Sequence, residues 1–355
     1  MDSLCPYFTR FPLSFPLDIL KKETRSRLVL DPFCGCGTTL LAARLTGHRS
    51  LGTDIHPVAV ALSRAKLART TLEEVLQRAK DILSRESILE PEENSEFFEC
   101  CFHPEVLKDL QLFRQRYHRE KMDDTEELLY GILLGILHGP VHKGPYLSNS
   151  MPASFSPSQE VLFARWRSDH SSPPARNILQ CIAQKAYGLK GCPARPSFGQ
   201  VEQISFDQID SSRTHSPFDL IITSPPYFGL SNLCCGQWLR SWLLRENSTF
   251  PPSGREMNHT SLQDYTNTLA ELWQRLTLCC REGASLWLRF GKVPESGAPP
   301  TLELLDESLT RAETQWIMRQ AQPVDTPLLR PSCPSFESPS SPPEDEWIIH
   351  LRLQN

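Results

Sequence analysis

The stretch RLVLDPFCGCGTTLLAA, residues 27–43, constrains the fold more than any other part of the chain. An apolar run ends at Asp31, and two glycines follow at Gly35 and Gly37 before a helix-forming segment. Glycine lets the backbone turn sharply where a buried parallel strand ends, so this pattern predicts a strand, a tight turn and a helix. A second strand at 50–54 and one long helical run at 57–83 follow. The sequence therefore predicts an α/β fold with a doubly wound sheet.

The remaining pattern predicts how the other elements are arranged. Residues 1–24, which include PYFTRFPLSFP, are predicted to form a docked loop and no regular element. Long amphipathic runs with few strand signals predict a mostly helical insertion at 70–196. A helix is expected at about 261–280, and a Pro/Ser-rich loop at 330–345. Strands are predicted at 199–207, 218–224, 285–291, around 314–320, and 346–354.

Composition excludes several classes of protein. No run approaches the roughly 20 apolar residues of a membrane helix, and no secretory signal is visible, so the prediction is a cytoplasmic protein without a membrane partner. The formal net charge is −5, so nucleic-acid binding would need local basic patches. The 12 cysteines form no Cys-x-x-Cys, and Gly139-Pro140 breaks any helix between His138 and His142. No metal site is predicted.

The Gly-rich turn fits a nucleoside cofactor that lacks phosphates. No lysine follows the turn as in a Walker loop, and Leu40 stands where a dinucleotide fold needs a third glycine. Asp54 closes the second strand, 23 residues after Asp31, where an acid typically accepts ribose hydroxyls. S-adenosylmethionine fits this pattern, with the glycines beside its amino-acid part and Ile55 beside adenine. The alternative is a tight turn that only packs a helix on a strand.

The stretch LIITSPPYFGL, residues 220–230, is the second informative turn. Pro225 and Pro226 cannot donate sheet hydrogen bonds, so the chain leaves the sheet at Ser224 and the loop is stiff. A fixed carbonyl and a hydroxyl side by side can both engage an exocyclic amino group, and Tyr227 offers a face on which a base can stack. Such a base would have to flip out of a duplex. The alternative is a proline-bounded turn with a core tyrosine.

The two motifs together resemble those of the S-adenosylmethionine-dependent amino-group DNA methyltransferases, which modify cytosine N4 or adenine N6. DPFCGCGTT resembles their cofactor motif and TSPPYFG their catalytic motif. YFTRFP, residues 7–12, is similar to the segment that closes over methionine in that family, and YLSNSMP, residues 146–152, to a stretch found in a subgroup. The resemblance covers about residues 6–291 and implies a Rossmann-like, seven-stranded class I methyltransferase sheet.

The resemblance also implies roles for individual residues. Ser224, Pro225, Pro226 and Tyr227 would handle the target base. Where related chains carry an acid that contacts adenine, this chain reads ISFDQ, and Asp207 is the available substitute. The residues expected to hold S-adenosylmethionine are Phe8, Asp31, Phe33, Gly35, Gly37, Thr38, Asp54, Ile55 and Asp207.

The same resemblance implies a division of labour along the chain. Residues 1–69 would form the N-terminal segment and the cofactor-binding half, 70–196 a helical insertion, and 197–355 the catalytic half. Target recognition would fall to this insertion, to the segment 232–260, or to both. Two basic clusters are candidates for phosphate contacts, although each is equally consistent with a solvated helix face. They comprise Lys108, Arg114, Arg116, Arg119, Arg165 and Arg167.

The function predicted from the sequence is site-specific methylation of cytosine N4 in DNA, with the base flipped out of the duplex. A cognate restriction endonuclease is a candidate partner. An adenine-N6 enzyme would use almost the same turn, although Ser224 at its first position favours cytosine. RNA and protein amide methyltransferases, which more often begin this turn with Asn, are a second alternative. A catalytically inactive module that binds nucleic acid is a third.

Overall fold

The computed structural model describes residues 1–7, 10–85, 95–189, 198–210, 216–229, 235–246, 257, 261–324 and 343–354. Seven strands form one sheet: β1 (Leu28–Asp31), β2 (Arg49–Thr53), β3 (Phe198–Glu202), β4 (Phe218–Thr223), β5 (Cys280–Lys292), β6 (Trp316–Pro323) and β7 (Glu344–Leu353). Their order across the sheet is β3-β2-β1-β4-β5-β7-β6. Neighbours from β3 to β5 pair in parallel, whereas β7 pairs antiparallel with both β5 and β6. The prediction of a Rossmann-like, seven-stranded α/β sheet is confirmed.

Twelve α-helices accompany the sheet in the described part of the chain. They are α1 (Ser14–Leu20), α2 (Thr38–Thr46), α3 (Pro57–Leu67), α4 (Leu72–Leu83), α5 (Ser95–Cys101), α6 (Pro104–Arg116), α7 (Asp124–Ile136), α8 (Gln159–Ser168), α9 (Ile178–Gly188), α10 (Trp238–Leu243), α11 (Leu262–Cys279) and α12 (Thr301–Ala312).

Three predictions about regular elements are corrected by the structure. The predicted docked loop at 1–24 contains α1, because its apolar face packs against β1 and α2 in one buried cluster. The run at 57–83 forms two helices, because Thr71 caps the start of the second. The Thr71 hydroxyl accepts from the backbone N–H of Glu74, and the Glu74 carboxylate accepts from the backbone N–H of Thr71. The predicted strand at 199–207 ends at Glu202, since residues 206–208 form a 3-10 turn that Ser205 caps.

The predicted mostly helical insertion is confirmed for its described residues. Helices α4 to α9 lie between α3 and β3 in the chain, and the regular structure beside them is limited to short 3-10 turns and one bridge between Phe102 and Ser148. Its core is continuous with that around α3, where Ala65 packs close to Gly131 of α7. The role of 70–196 in target recognition stays a prediction, as do the proposed domain boundaries.

Some predicted segments lie wholly or largely outside the described residues. Of the Pro/Ser-rich loop at 330–345, the structure describes only residues 343–345, of which the last two begin β7. None of the described helices is long and apolar enough to cross a membrane.

Candidate active site

The two motif-bearing turns follow neighbouring strands of the sheet. Because β1 and β4 pair in parallel, their carboxyl ends lie at the same edge. A hydrogen bond joins the ends directly, with the Thr223 hydroxyl 2.7 Å from Oδ1 of Asp31. In an open α/β sheet, ligands bind at this edge. The Gly-rich turn and the Ser-Pro-Pro-Tyr turn therefore open onto one edge of the sheet.

The two glycines of the first turn serve different purposes. Gly37 has φ +78°, and a Cβ there would lie 2.7 Å from Oγ of Ser63 in α3, so this glycine is needed for packing. Gly35 has φ +48°, and a Cβ there would meet nothing within 4 Å. Its carbonyl accepts from the Ser63 hydroxyl at 2.8 Å, which fixes the turn. The packing alternative thus accounts for Gly37, while open space beside Gly35 leaves room for a ligand.

Asp54 fastens the first turn to the end of β2. Its Oδ2 accepts from the backbone N–H of Gly35 at 2.9 Å, and its Oδ1 from that of His56 at 2.8 Å. Burial raises the pKa of the carboxyl to about 6, although these backbone donors oppose the rise. Each oxygen keeps a second lone pair, so the side chain can still accept from ribose hydroxyls.

Asp31 presents an unpaired acceptor at the same edge. Besides Thr223, its Oδ1 accepts from the backbone N–H of Phe33 at 3.2 Å. Its Oδ2 is buried and has no hydrogen-bond partner among the described residues. Burial raises the pKa of this carboxyl to about 6, although contacts with the Thr39 and Thr223 hydroxyls oppose the rise. A buried, unpaired acceptor fits a charged donor, such as the α-ammonium group of an amino acid.

The residues beyond β3 form the other side of this region. Phe33 packs on Phe206 with ring centroids 5.8 Å apart, and Phe206 itself is buried. Gln203 donates to the carbonyl of Ile55 at 3.2 Å and accepts from Arg119. Asp207 lies in the 3-10 turn and is exposed. Thr38 is buried at the start of α2, and Phe8 lies outside the described residues.

A tyrosine from α11 holds the Ser-Pro-Pro-Tyr turn. The Tyr265 hydroxyl donates to the carbonyl of Pro226 at 2.6 Å, so this carbonyl is engaged by the protein. Ser224 is half-buried and Pro225 is buried. The ring of Tyr227 is 8% exposed and packs edge-on against Phe290, with centroids 5.9 Å apart. Its role as a stacking face for a base stays a prediction.

A buried ion pair fixes the hydroxyl of Tyr227. This hydroxyl donates to Oε1 of Glu346 at 2.8 Å. Arg289 donates two hydrogen bonds to the same carboxylate, of 2.9 and 2.7 Å. The pKa of Tyr227 is held well above its usual range, chiefly by burial and by the nearby Glu346 charge, while a hydrogen bond with Ser224 opposes the rise. The hydroxyl is therefore protonated at neutral pH and acts as a donor.

Sequence reasoning missed four residues of this region: Phe206, Tyr265, Arg289 and Glu346. A signal existed for Arg289, a charged residue within the apolar strand SLWLRFG, because buried charges require partners. Its partner was not identifiable, since it comes from a strand 57 residues later in the chain.

The arginines proposed for phosphate contacts have partners within the protein. Arg114 donates to the carbonyl of Trp242, Arg116 pairs with Glu126, and Arg119 contacts Gln203 and Glu246. In α8, Arg165 pairs with Asp169 and Arg167 with Glu96. Lys108 is exposed. A role for these residues in binding phosphates stays a prediction.

The described residues contain no group of side chains suited to a metal ion. His138 is buried and contacts the carbonyl of Pro152 and the hydroxyl of Ser156. Burial holds its pKa well below the usual range, so it is a neutral core histidine.

A comparison with known protein families matches the part of the chain that carries the first motif. A family model for DNA methylases (N6_N4_Mtase) matches residues 5–65, which include the Gly-rich turn and Asp54. No curated protein shows a significant match.

Three methyltransferases or methylases are among the solved structures to which this chain is similar. The rRNA methyltransferase aviRa from Streptomyces viridochromogenes has 9% identity and a TM-score of 0.36, over 99% of this chain and 92% of that one. An rRNA methylase from Streptococcus thermophilus has 8% identity and a TM-score of 0.37, over 98% and 99%. Magnesium protoporphyrin IX methyltransferase (ChlM) from Synechocystis PCC 6803, with bound SAM, has 8% identity and a TM-score of 0.36, over 96% and 78%.

Proposed function

We propose that the protein is an S-adenosylmethionine-dependent methyltransferase that modifies an exocyclic amino group of a nucleobase in DNA, with N4 of cytosine as the preferred target. The observation that carries this proposal is the 2.7 Å hydrogen bond between Asp31 and Thr223. It brings a turn suited to the cofactor and a turn suited to an amino group to adjacent positions at one sheet edge.

Several described residues fit S-adenosylmethionine. The unpaired Oδ2 of Asp31 suits its ammonium group, the open space beside Gly35 suits its amino-acid part, and Asp54 suits the ribose hydroxyls. Phe33 with Phe206 and Ile55 would border adenine. Asp207 remains the candidate acid on the adenine side, Thr38 begins the helix beside the cofactor, and Phe8 is the candidate for closing over methionine.

The chemistry requires orientation more than activation. S-adenosylmethionine supplies an electrophilic methyl carbon; its bond to sulfur breaks with both electrons left on sulfur as the amino nitrogen's lone pair forms the new C–N bond. Ser224 and the carbonyl of Pro225 would accept the two amino hydrogens, which holds the lone pair toward the methyl group. They would also stabilise the positive charge that develops on nitrogen until its extra proton leaves to water.

The choice of acceptor rests on the turn itself. Ser224 at the first position favours cytosine N4 over adenine N6, and the family model that matches this chain describes DNA methylases. A base within a duplex is out of reach of such a turn, so the target would flip out. A cognate restriction endonuclease remains a candidate partner on the resemblance alone.

Incubation with tritiated S-adenosylmethionine tests the proposal. Mixed-sequence single-stranded and double-stranded DNA, total RNA and a denatured protein extract would be offered separately, and the modified nucleoside identified by mass spectrometry. We expect N4-methylcytosine in DNA. N6-methyladenine would correct the base, label in RNA or protein would correct the substrate class, and cofactor binding without transfer would favour an inactive binding module.

Ser224→Ala is the matched variant for this assay. We expect kcat to fall roughly 10²-fold or more with little loss of cofactor affinity, because the serine engages only the amino group. A variant with unchanged kcat would remove Ser224 from the reaction.

A further inference from the structure

The backbone of the Ser-Pro-Pro-Tyr turn has little freedom, because its two consecutive prolines restrict it. Each proline ring fixes φ of its own residue, and a residue that precedes a proline is confined to extended values of ψ, which restricts Pro225 as well. Each residue has two soft backbone dihedral angles, so ψ of Pro226 is the one in this pair that can still rotate. Because peptide groups are planar, this angle sets the direction of the Pro225 carbonyl relative to the Pro226 carbonyl.

A tyrosine of α11 fixes that remaining angle. The hydroxyl of Tyr265, a fully buried residue, donates to the carbonyl of Pro226 at 2.6 Å. A carbonyl oxygen can only accept, so the direction of this hydrogen bond is certain. Prolines have no backbone N–H, so the pair supplies no donor of its own. The bond from Tyr265 holds the peptide group that follows Pro226 against α11 and so determines ψ of Pro226.

The packing of α11 holds the tyrosine in place. Tyr265 lies in the first turn of the helix and shares its buried face with Leu269 and Trp273. The indole of Trp273 donates to the hydroxyl of Ser308 in α12 at 2.8 Å, which fastens α11 to its neighbour. The ring of Tyr265 also packs against Phe228, with centroids 5.4 Å apart. The position of the donor is therefore set by the core and not by the turn.

The residues after Pro226 are anchored separately. The Tyr227 hydroxyl donates to Oε1 of Glu346 at 2.8 Å. Gly229 has φ +84°, and a Cβ there would lie 2.7 Å from Cβ of Ser296, so the chain leaves the turn along a tightly packed path. The peptide group beyond Pro226 is thus a fixed reference for the residues before it.

We propose that Tyr265 is a positioning residue that, through the carbonyl of Pro226, directs the carbonyl of Pro225 toward the target amino group. This inference rests on the proposed function, in which Ser224 and the Pro225 carbonyl accept the two amino hydrogens. The one proton of the Tyr265 hydroxyl is committed to Pro226, so this residue acts through the turn and not on the base. Orientation is the main contribution of the protein to such a reaction, and a displacement of about 1 Å can lower the rate about 10²-fold.

Tyr265→Phe tests the inference, with tritiated S-adenosylmethionine and whichever acceptor the wild-type protein labels. The substitution keeps the ring against Phe228 and removes only the hydroxyl. We expect kcat to fall about tenfold or more, because ψ of Pro226 is no longer fixed. The Kd for S-adenosylmethionine, measured by calorimetry, should stay within about twofold, since the lost bond is not on the Gly-rich turn. An unchanged kcat, or an equal loss of cofactor affinity, would overturn the inference.

Two control variants separate positioning from general stability. Tyr130 is also buried and donates to the carbonyl of Phe113 at 2.7 Å within the helical insertion, so Tyr130→Phe is the same chemical change away from the site. Ser308→Ala removes the acceptor of Trp273 and loosens α11 without touching the turn. Both should keep kcat within about twofold of the wild-type value. A fall of kcat in either that equals the fall in Tyr265→Phe would attribute the effect to stability and refute the inference.

A double-mutant cycle with Pro226→Ala tests the route from Tyr265 to Pro225. Alanine frees φ at residue 226 and lifts the restriction on ψ of Pro225, so a fixed ψ at residue 226 no longer determines the direction of the Pro225 carbonyl. We expect Pro226→Ala to lower kcat, and Tyr265→Phe to lower it by less than about twofold more in that background. A full further tenfold loss would show that Tyr265 acts by another route.

The outcomes distinguish this inference from the proposed function. If the wild-type protein transfers methyl groups and Ser224→Ala lowers kcat, but Tyr265→Phe does not, the inference is refuted and the proposed function stands. If the wild-type protein labels no DNA, RNA or protein, the proposed function is refuted and the inference with it, since no amino group then meets the turn.

Discussion

Cofactor affinity should depend on pH through the carboxyl groups of Asp31 and Asp54. Burial raises the pKa of each to about 6 in the free protein. Below that pH each holds a proton, which must leave before the oxygens can accept from an ammonium group or from ribose hydroxyls. If cofactor binding lowers each pKa well below 5, the proton on one carboxyl makes the affinity at pH 5 about tenfold weaker than at pH 8. The protons on both carboxyls together make it about a hundredfold weaker.

The stability of the free protein should change in the opposite direction with pH. A carboxyl whose pKa is raised on folding binds its proton more tightly in the folded state than in the unfolded chain. Its contribution is present below about pH 4 and is lost as pH rises through 6, at about 1.4 kcal/mol for each unit of pKa. Asp31 is fully buried whereas Asp54 is half-buried, so Asp31 should provide most of this effect on stability.

Calorimetric titration with S-adenosylmethionine from pH 5 to pH 8, in two buffers of different ionisation enthalpy, measures both the affinity and the protons released. Wild-type protein should release up to about two protons at pH 5 and almost none at pH 8. Asp31→Asn and Asp54→Asn should each bind more weakly at pH 8 but show about half of the pH dependence. A pH-independent affinity, or an unchanged dependence in both variants, would refute the assignment.

Two further predictions concern stability and follow from packing. Gly37→Ala should lower the free energy of unfolding by about 3 kcal/mol in urea denaturation, because a Cβ at φ +78° would press on Ser63, whereas Gly188→Ala meets open space and should change it little. Equal midpoints for the two variants would contradict this account of the turn. Arg240→Leu should cost about 3 kcal/mol or more, because this fully buried guanidinium donates to the carbonyls of Leu134, Ala153 and Ser154. Arg165→Ala, at an exposed ion pair, serves as the control and should cost about 1 kcal/mol or less; a similar loss in both would refute the argument from burial.

The elements that the sequence predicted well are those with strong local signals. The apolar run before Asp31 and the glycines after it specify β1, the turn and the start of α2, because each choice is made within a few residues. The prolines at 225 and 226 end β4 in the same local way. The antiparallel pairing of β7 with β5 brings together residues far apart in the chain, and no local pattern determines its register.

Helices α1 and α12 were not predicted from the sequence, for different reasons. Helix α1 is only seven residues long, and the aromatic and proline-rich stretch that runs into it suggested a loop; burial against β1 and α2 decides its structure. Helix α12 carried a readable signal, since its buried positions Leu304, Ser308 and Ala312 recur every four residues. Glu346 could not have been assigned from its surroundings, because a glutamate at the start of a strand is usually exposed.

The position of β7 within the sheet has a consequence for a shortened chain. β7 is the latest described strand in the sequence, yet it lies between β5 and β6, and among the described strands β6 touches the sheet only through it. A chain shortened before residue 343 would keep both turns and the residues proposed to hold the cofactor, but β6 would be detached and Arg289 would lose its counter-charge. Such a fragment should be less stable than the full chain, because it would bury an unpaired guanidinium.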